Sequence, residues 1–272
     1  MADILSLIAL ATVAVGCVLP ILKAFRSPSE YSTLEKILYA PVYCFGRLLW
    51  RIEIVGSSRQ KNRRSNFGDT GAVLVANHRN ALDPFFLQLA CGRRVHWMVA
   101  SEYFKNAVFG PVLRTFQAIP TNRSGSDSAS MKTAIRLASE GQLVGMFPEG
   151  RINRTTRPIL KIRTGAGLVA AKANCPLLPC WIEGAPQGWD VWSGWFTASR
   201  IRIHVGQPLF SSTGGGDVEG ATLVGCAPEF ERLSSVDDFT SNAMKQSLEM
   251  AGHPGFPVEL ARKRLNRPSG IS

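Results

Sequence analysis

Gly71-Ala72-Val73-Leu74-Val75-Ala76-Asn77-His78-Arg79-Asn80-Ala81-Leu82-Asp83-Pro84 runs from an apolar segment through a polar connection into a helix opening. Residues 71–76 read as a short buried strand entered from a glycine-containing loop, and Asp83-Pro84 as a helix N-cap with proline in the first turn. His78 then lies on the irregular connection at a strand end, where catalytic groups concentrate. A straight helix would carry His78 and Asp83 onto different faces, whereas a bend can return the carboxylate to the imidazole. The spacing favours a turn and an acid/base pair, although a helix cap beside an ordinary loop histidine would use the same letters.

Strand-like and helix-like stretches alternate away from this segment. Strands are expected at 73–76, 97–100, 118–120, 143–147, 177–182 and 201–205. Between the third and fourth, Ser126 or Asp127 caps a helix whose apolar face is Met131, Ala134, Ile135 and Ala138, and Gly141 ends it. The alternation predicts an α/β fold, a mixed or largely parallel sheet covered by helices, with sites at strand ends. Residues 51–210 would form this domain. Residues 1–50 would be a membrane anchor and interfacial helix, and 211–272 a flexible Gly/Ser/acidic loop (211–235), a terminal helix (239–251) and a basic tail.

The 272 residues carry a net charge of +11, which points to an anionic partner. The cations cluster at Arg59, Lys61, Arg63 and Arg64 and again at Arg262, Lys263, Arg264 and Arg267, with no nucleic-acid motif beside them. An anionic membrane surface fits better than nucleic acid. Residues 4–22 are almost wholly apolar, roughly 28 Å of helix, enough to span or nearly span a bilayer. Asp3 before this segment and Lys23 and Arg26 after it put the bulk of the chain on the cytoplasmic side. Residues 34–50 form a second apolar stretch, interrupted by Pro41, in which Tyr39, Tyr43 and Trp50 suit the headgroup level. A core helix packed on the domain is the other reading. The six cysteines show no metal or disulfide spacing and read as buried thiols in a reducing compartment.

Further chemistry-bearing residues follow other strands. Phe147-Pro148-Glu149-Gly150-Arg151 delivers a carboxylate, a permissive glycine and a guanidinium together, and Arg123 follows residues 118–120. With Arg163 these arginines can converge on a phosphate through bidentate, charge-assisted hydrogen bonds. Gly165-Ala166-Gly167-Leu168-Val169-Ala170 also fits the dinucleotide pattern, with Glu183 as a ribose partner. That reading needs a strand at 159–163, which is short and charged, and the same glycines serve a helix packed on a sheet.

Over residues 50–208 the chain resembles the glycerolipid acyltransferase family, and four blocks carry the resemblance in order. His78 and Asp83 match its His-x4-Asp motif, Arg123 its second block, Phe147-Pro148-Glu149-Gly150 its third and Leu178-Pro179-Cys180-Trp181-Ile182 its fourth. The chain departs from the family where Gln117 replaces the usual glycine opening the second block and where Arg151-Ile152 replaces Thr-Arg. Ile162-Arg163-Thr164-Gly165 likewise stands for Phe-Lys-x-Gly. The resemblance implies that His78 is a general base oriented by Asp83, with Arg123, Glu149, Gly150, Arg151 and Arg163 binding the acceptor. The implied reaction moves an acyl chain from acyl-CoA or acyl carrier protein to the free hydroxyl of 1-acyl-sn-glycerol 3-phosphate, giving phosphatidic acid, with no metal or cofactor. Other acceptors, such as glycerol 3-phosphate, another lysophospholipid or an amino-acid lipid, and a non-enzymatic role at the membrane surface, are the alternatives.

Overall fold

The computed structural model describes residues 31–56, 67, 70–122, 128–186, 191–211, 232–233 and 235–261. The expected anchor at 4–22, both basic clusters, Arg123 and the caps Ser126 and Asp127 lie outside the described residues. Among the described residues no helix is long and apolar enough to cross a membrane.

Seven strands form one mixed sheet: β1 (Trp50–Val55), β2 (Ala72–Val75), β3 (Val95–Ala100), β4 (Ile119–Thr121), β5 (Leu143–Met146), β6 (Leu177–Glu183) and β7 (Ser199–Val205), in the order β1-β7-β6-β2-β5-β3-β4. All neighbours are parallel except β6 and β7, so β1 and β7 run against the other five. β2 is buried along its whole length, which explains its unbroken apolar sequence. Val73 and Val75 face one core, with Ala134, Val169, Ala170, Phe239 and Met244 from helices α4 (Ser128–Ser139), α5 (Gly165–Ala173) and α7 (Val236–Met250). Leu74 and Ala76 face the other, with Phe86 and Leu87 of α2 (Asp83–Cys91). The sheet is thus a middle layer between helices, as the alternation predicts.

Several local readings are corrected. β1 had no counterpart among the expected strands, yet Trp50, Ile52 and Ile54 alternate with Arg51 and Glu53 as a half-buried strand requires. Pro41 does not interrupt helix α1 (Thr33–Leu48), which continues through it. Tyr39 and Trp50 do not sit at a headgroup level: they are 6 % and 1 % exposed. Tyr39 meets the Tyr31 ring edge-on at 5.5 Å, and Trp50 meets Phe86 at 4.9 Å and Trp195 at 5.2 Å. Large aromatic surfaces gain more from such contacts than from an interface that leaves one side wet. Among its described side chains, α1 exposes the large apolar Leu34, Ile37 and Leu48.

Glu35 docks this helix on the domain. Its carboxylate accepts from Ser32 N (2.6 Å) while Ser32 Oγ accepts from Glu35 N (3.3 Å), a capping box, and its other oxygen pairs with Arg94 at 2.5 Å. The expected loop at 211–235 is joined at its ends, because β8 (Phe210–Ser211) pairs in parallel with β9 (Arg232–Leu233). Helix α3 (Phe109–Thr115) leads into β4, and α6 (Val191–Phe196) leads into β7.

The glycine pattern at 165–170 opens α5, but no strand precedes it; Ile162 makes only an isolated bridge to Leu260. Gly167 instead lets α5 approach α7, since a Cβ there would run into Thr240 and the Val236 carbonyl. Glu183 is engaged with His204 at 3.2 Å. These residues serve helix packing, and the dinucleotide reading loses the strand it requires.

Candidate active site

The candidate residues that fall on described positions gather at the carboxyl ends of β2 and β5, adjacent parallel strands near the middle of the sheet. Ligand sites of open α/β sheets form at such ends, where connections diverge to opposite sides.

His78 leaves β2 on an extended connection, and the chain then turns sharply so that Asp83 Oδ2 lies 2.9 Å from His78 Nδ1. The same oxygen accepts from Arg79 N (2.7 Å) and Asn80 N (2.8 Å). Asp83 is therefore not the N-cap expected from sequence. Leu82 holds that position without a side-chain cap, and the Asp83 carboxylate reaches backward to close the preceding turn. With two backbone donors already on Oδ2, that oxygen is an acceptor and Nδ1 carries the proton. Nε2 is left as the basic nitrogen. Asp83 is fully buried while the His78 side chain is 16 % exposed, so one edge of the imidazole reaches the surface.

Phe147 covers one face of that imidazole, with ring centroids 4.1 Å apart, and Trp97 of β3 stacks behind Phe147 at 5.2 Å. Two asparagines beside His78 are struts that sequence reasoning missed. Asn77 exchanges two hydrogen bonds with the backbone of Ile182, donating to its O (3.0 Å) and accepting from its N (2.7 Å). Asn80 donates to Pro186 O (2.7 Å) and accepts from Leu82 N (2.9 Å). Arg79, also missed, donates from Nη1 to Thr155 O (2.8 Å) and Arg157 O (3.0 Å). Their position beside His78 was the available signal; their partners, far along the chain, were not readable.

The third-block residues divide into two kinds. Glu149 is 4 % exposed and has both oxygens committed, Oε1 to His78 N (2.8 Å) and Oε2 to Leu160 N (2.8 Å). It was expected to bind substrate, but its geometry makes it an internal strut beneath His78. Burial raises its pKa above the usual carboxylate range, against the lowering effect of those two amide bonds. Gly150 has φ +67° and carries the Arg163 side chain close over its bare α-carbon, where an added Cβ would lie 3.2 Å from Arg163 Nε. Arg151 and Arg163 are both exposed and make no ion pair among the described residues. The structure thus brings His78, Asp83, Glu149, Gly150 and Arg163 together, with Arg151 next in chain.

Gln117 has φ +54°, in the left-handed region where a side chain is strained, which explains why glycine is usual there. No group of three His, Cys, Asp or Glu residues among those described could hold a metal ion. Cys91, Cys175 and Cys180 are buried, and burial pushes the Cys175 thiol up to about 12, so these three are not poised as nucleophiles.

The 1-acyl-sn-glycerol-3-phosphate acyltransferase of Bacillus subtilis (strain 168) is 27% identical over 205 residues, which cover 75% of this chain and 94% of that protein. The enzyme of the same description from Streptococcus pneumoniae (strain ATCC BAA-255 / R6) is 27% identical over 165 residues, covering 60% of this chain and 58% of its own. An N-acylphosphatidylethanolamine synthase of Arabidopsis thaliana is 28% identical over 117 residues, covering 39% of this chain and 41% of its own. The crystal structure of the 1-acyl-sn-glycerophosphate acyltransferase from Thermotoga maritima shares the fold, with a TM-score of 0.56 at 16% identity over 95% of this chain and all of that one. The acyltransferase family model matches residues 27–183, more than half of the sequence, and the chain belongs to the acyltransferase family.

Proposed function

We propose that the protein transfers an acyl chain from a thioester, acyl-CoA or acyl carrier protein, to the free hydroxyl of 1-acyl-sn-glycerol 3-phosphate. The observation that carries this reading is the 2.9 Å bond from His78 Nδ1 to Asp83 Oδ2, which fixes the tautomer and leaves Nε2 as the base. His78 Nε2 takes the hydroxyl proton as the oxygen attacks the thioester carbonyl. The carbon–sulfur bond then breaks, and the departing thiolate recovers the proton from the imidazolium. Asp83 stabilises that imidazolium, as a carboxylate does beside a catalytic histidine. General-base assistance of this kind is worth about 10²- to 10⁴-fold. Direct transfer needs no enzyme nucleophile, only a base and positioned substrates.

Arg151 and Arg163, with Arg123 as a further candidate, supply the charge for the acceptor phosphate. The 1-acyl-sn-glycerol-3-phosphate acyltransferases among the relatives support this acceptor. The reaction takes place at an anionic membrane surface, with residues 1–50 as the membrane-associated segment and 51–210 as the catalytic domain facing the cytoplasm, its core completed by α7 from the 211–272 segment. The net charge of +11 and the exposed Leu34, Ile37 and Leu48 support that placement. The similarity to an N-acylphosphatidylethanolamine synthase favours, as a second reading, an acceptor with a larger headgroup.

Membranes from cells expressing the chain, offered lysophosphatidic acid and a panel of other acceptors with either donor, test both readings. Formation of phosphatidic acid is expected. Consumption of another acceptor with lysophosphatidic acid ignored would move the assignment to the second reading.

A further inference from the structure

The turn that carries Glu149 and Gly150 is tied to the far end of the described chain. After α7 the chain passes beside Ile162, which is fully buried. Ile162 N donates to Glu259 O (2.8 Å) and Ala261 N donates to Ile162 O (2.7 Å), the pattern of a parallel bridge between Ile162 and Leu260. Around Ile162, Leu160 N donates to Glu149 Oε2 (2.8 Å) and Arg163 N donates to Pro148 O (2.8 Å). The Glu259 carboxylate pairs with Arg157 (3.1 Å) and Lys161 (2.9 Å), so it occupies two cations of the same segment and neither Arg151 nor Arg163.

We infer that residues 258–261 form a positioning strap for acceptor binding. The strap pins Ile162 from one side while the 148–149 turn is held by Leu160 and Arg163 from the other. Arg163 is thereby kept over Gly150, and the cations left unpaired beside the turn are those assigned to the acceptor phosphate. The kinetic part of this inference rests on the proposed acceptor site; the strap's hold on the turn does not.

Proline placed at successive positions tests it in the full chain. The Leu260 N–H takes no part in the bridge, so Leu260→Pro leaves both bonds, whereas Ala261→Pro removes the donor to Ile162 O. With Ala261→Pro, the Leu160 and Arg163 amides should exchange hydrogen at least about fivefold faster and the KM for lysophosphatidic acid should rise about fivefold, the scale of one lost hydrogen bond. The kcat should fall by less than the KM rises, because the His78–Asp83 bond and the Glu149 bond to His78 N both remain. Leu260→Pro should behave as wild type.

Equal effects of the two prolines, or unchanged exchange in Ala261→Pro, overturn the strap. A chain lacking 262–272 should keep the wild-type KM; a rise there matching that of Ala261→Pro would give the effect to the basic tail and overturn the strap. Should Ala261→Pro fail to fold, Leu260→Gly, which loosens the segment without removing a bond, must still speed exchange at the two amides, and no change there also overturns it. If the wild-type chain ignores lysophosphatidic acid, the proposed acceptor fails while amide exchange still decides the strap.

Discussion

The imidazole of His78 and the ring of Phe147 lie face to face, their planes 16° from parallel. With Asp83 on the ring edge and Phe147 on the ring face, two independent contacts fix the direction of Nε2. Phe147→Leu keeps apolar bulk but loses the stacking, and an aromatic pair of this kind is worth about 0.5–1.5 kcal/mol. The expected result is a fall in kcat of about 2- to 13-fold with little change in acceptor KM, read by steady-state kinetics.

His78→Ala is expected to lower kcat by about 10²- to 10⁴-fold while leaving the far-ultraviolet circular dichroism and melting temperature near wild type. Asp83→Ala should instead lower both activity and stability. It strands the buried Asn80 amide as well as the less buried Arg79 amide, and an unsatisfied buried donor costs about 1–3 kcal/mol. Denaturant unfolding of the two variants side by side separates the roles. Substantial turnover by His78→Ala would remove His78 as the base.

Gln117→Gly should raise stability. A non-glycine residue in the left-handed region costs about 1–2 kcal/mol, against about 0.5–1 kcal/mol for the extra freedom of glycine in the unfolded chain. A net gain of about 0.5–1 kcal/mol is expected in denaturant unfolding, with no change in kcat. A loss of stability would mean that the Gln117 side chain makes a compensating contact.

Glu149 gives the stability a pH dependence of definite sign. Burial raises its folded-state pKa above the value in the unfolded chain. The folded state therefore holds the proton more tightly between the two values, and stability from this group is complete below the unfolded pKa and lost as pH rises through the folded one. Unfolding free energy measured across that window should fall with rising pH, after subtraction of the slope seen in Glu149→Gln. A rise instead would mean that the two amide bonds outweigh desolvation.

The Glu35–Arg94 pair is nearly buried, with side chains 4 % and 11 % exposed. Removing one partner breaks the pair and takes the opposite charge from the other, which costs about 3–5 kcal/mol for a buried pair. Glu35→Ala should therefore melt well below wild type, and the double variant Glu35→Ala/Arg94→Leu should recover part of the loss. Additive losses in the double variant would show that the pair is not coupled.

The sequence was most readable where local signals agree. The apolar run at β2, the turn and Pro84 lie within one segment, and the His78–Asp83 bond spans only five positions, so its geometry follows from local chain direction. Glu149 was visible as a strand-end carboxylate, but its function was not, because its partners are backbone amides brought from residues 78 and 160. The inward turn of Tyr39 was equally closed, since an amphipathic helix presents the same apolar face to a lipid as to a protein core. β1 is a different kind of miss: its alternation is present in the sequence, but Trp50 equally fits the end of the preceding apolar helix.

The struts around His78 bridge large stretches of sequence: 71 residues to Glu149, 76 from Arg79 to Thr155 and 105 from Asn77 to Ile182. Contacts this distant are slow to form because loop closure must precede them. A ribosome-bound chain thus acquires its histidine and aspartate early but gains the frame that aims them only once β6 has emerged. Chains terminated before residue 177 should carry the acid/base pair and be inert. The proposed acyl transfer is then confined to copies whose synthesis has passed β6.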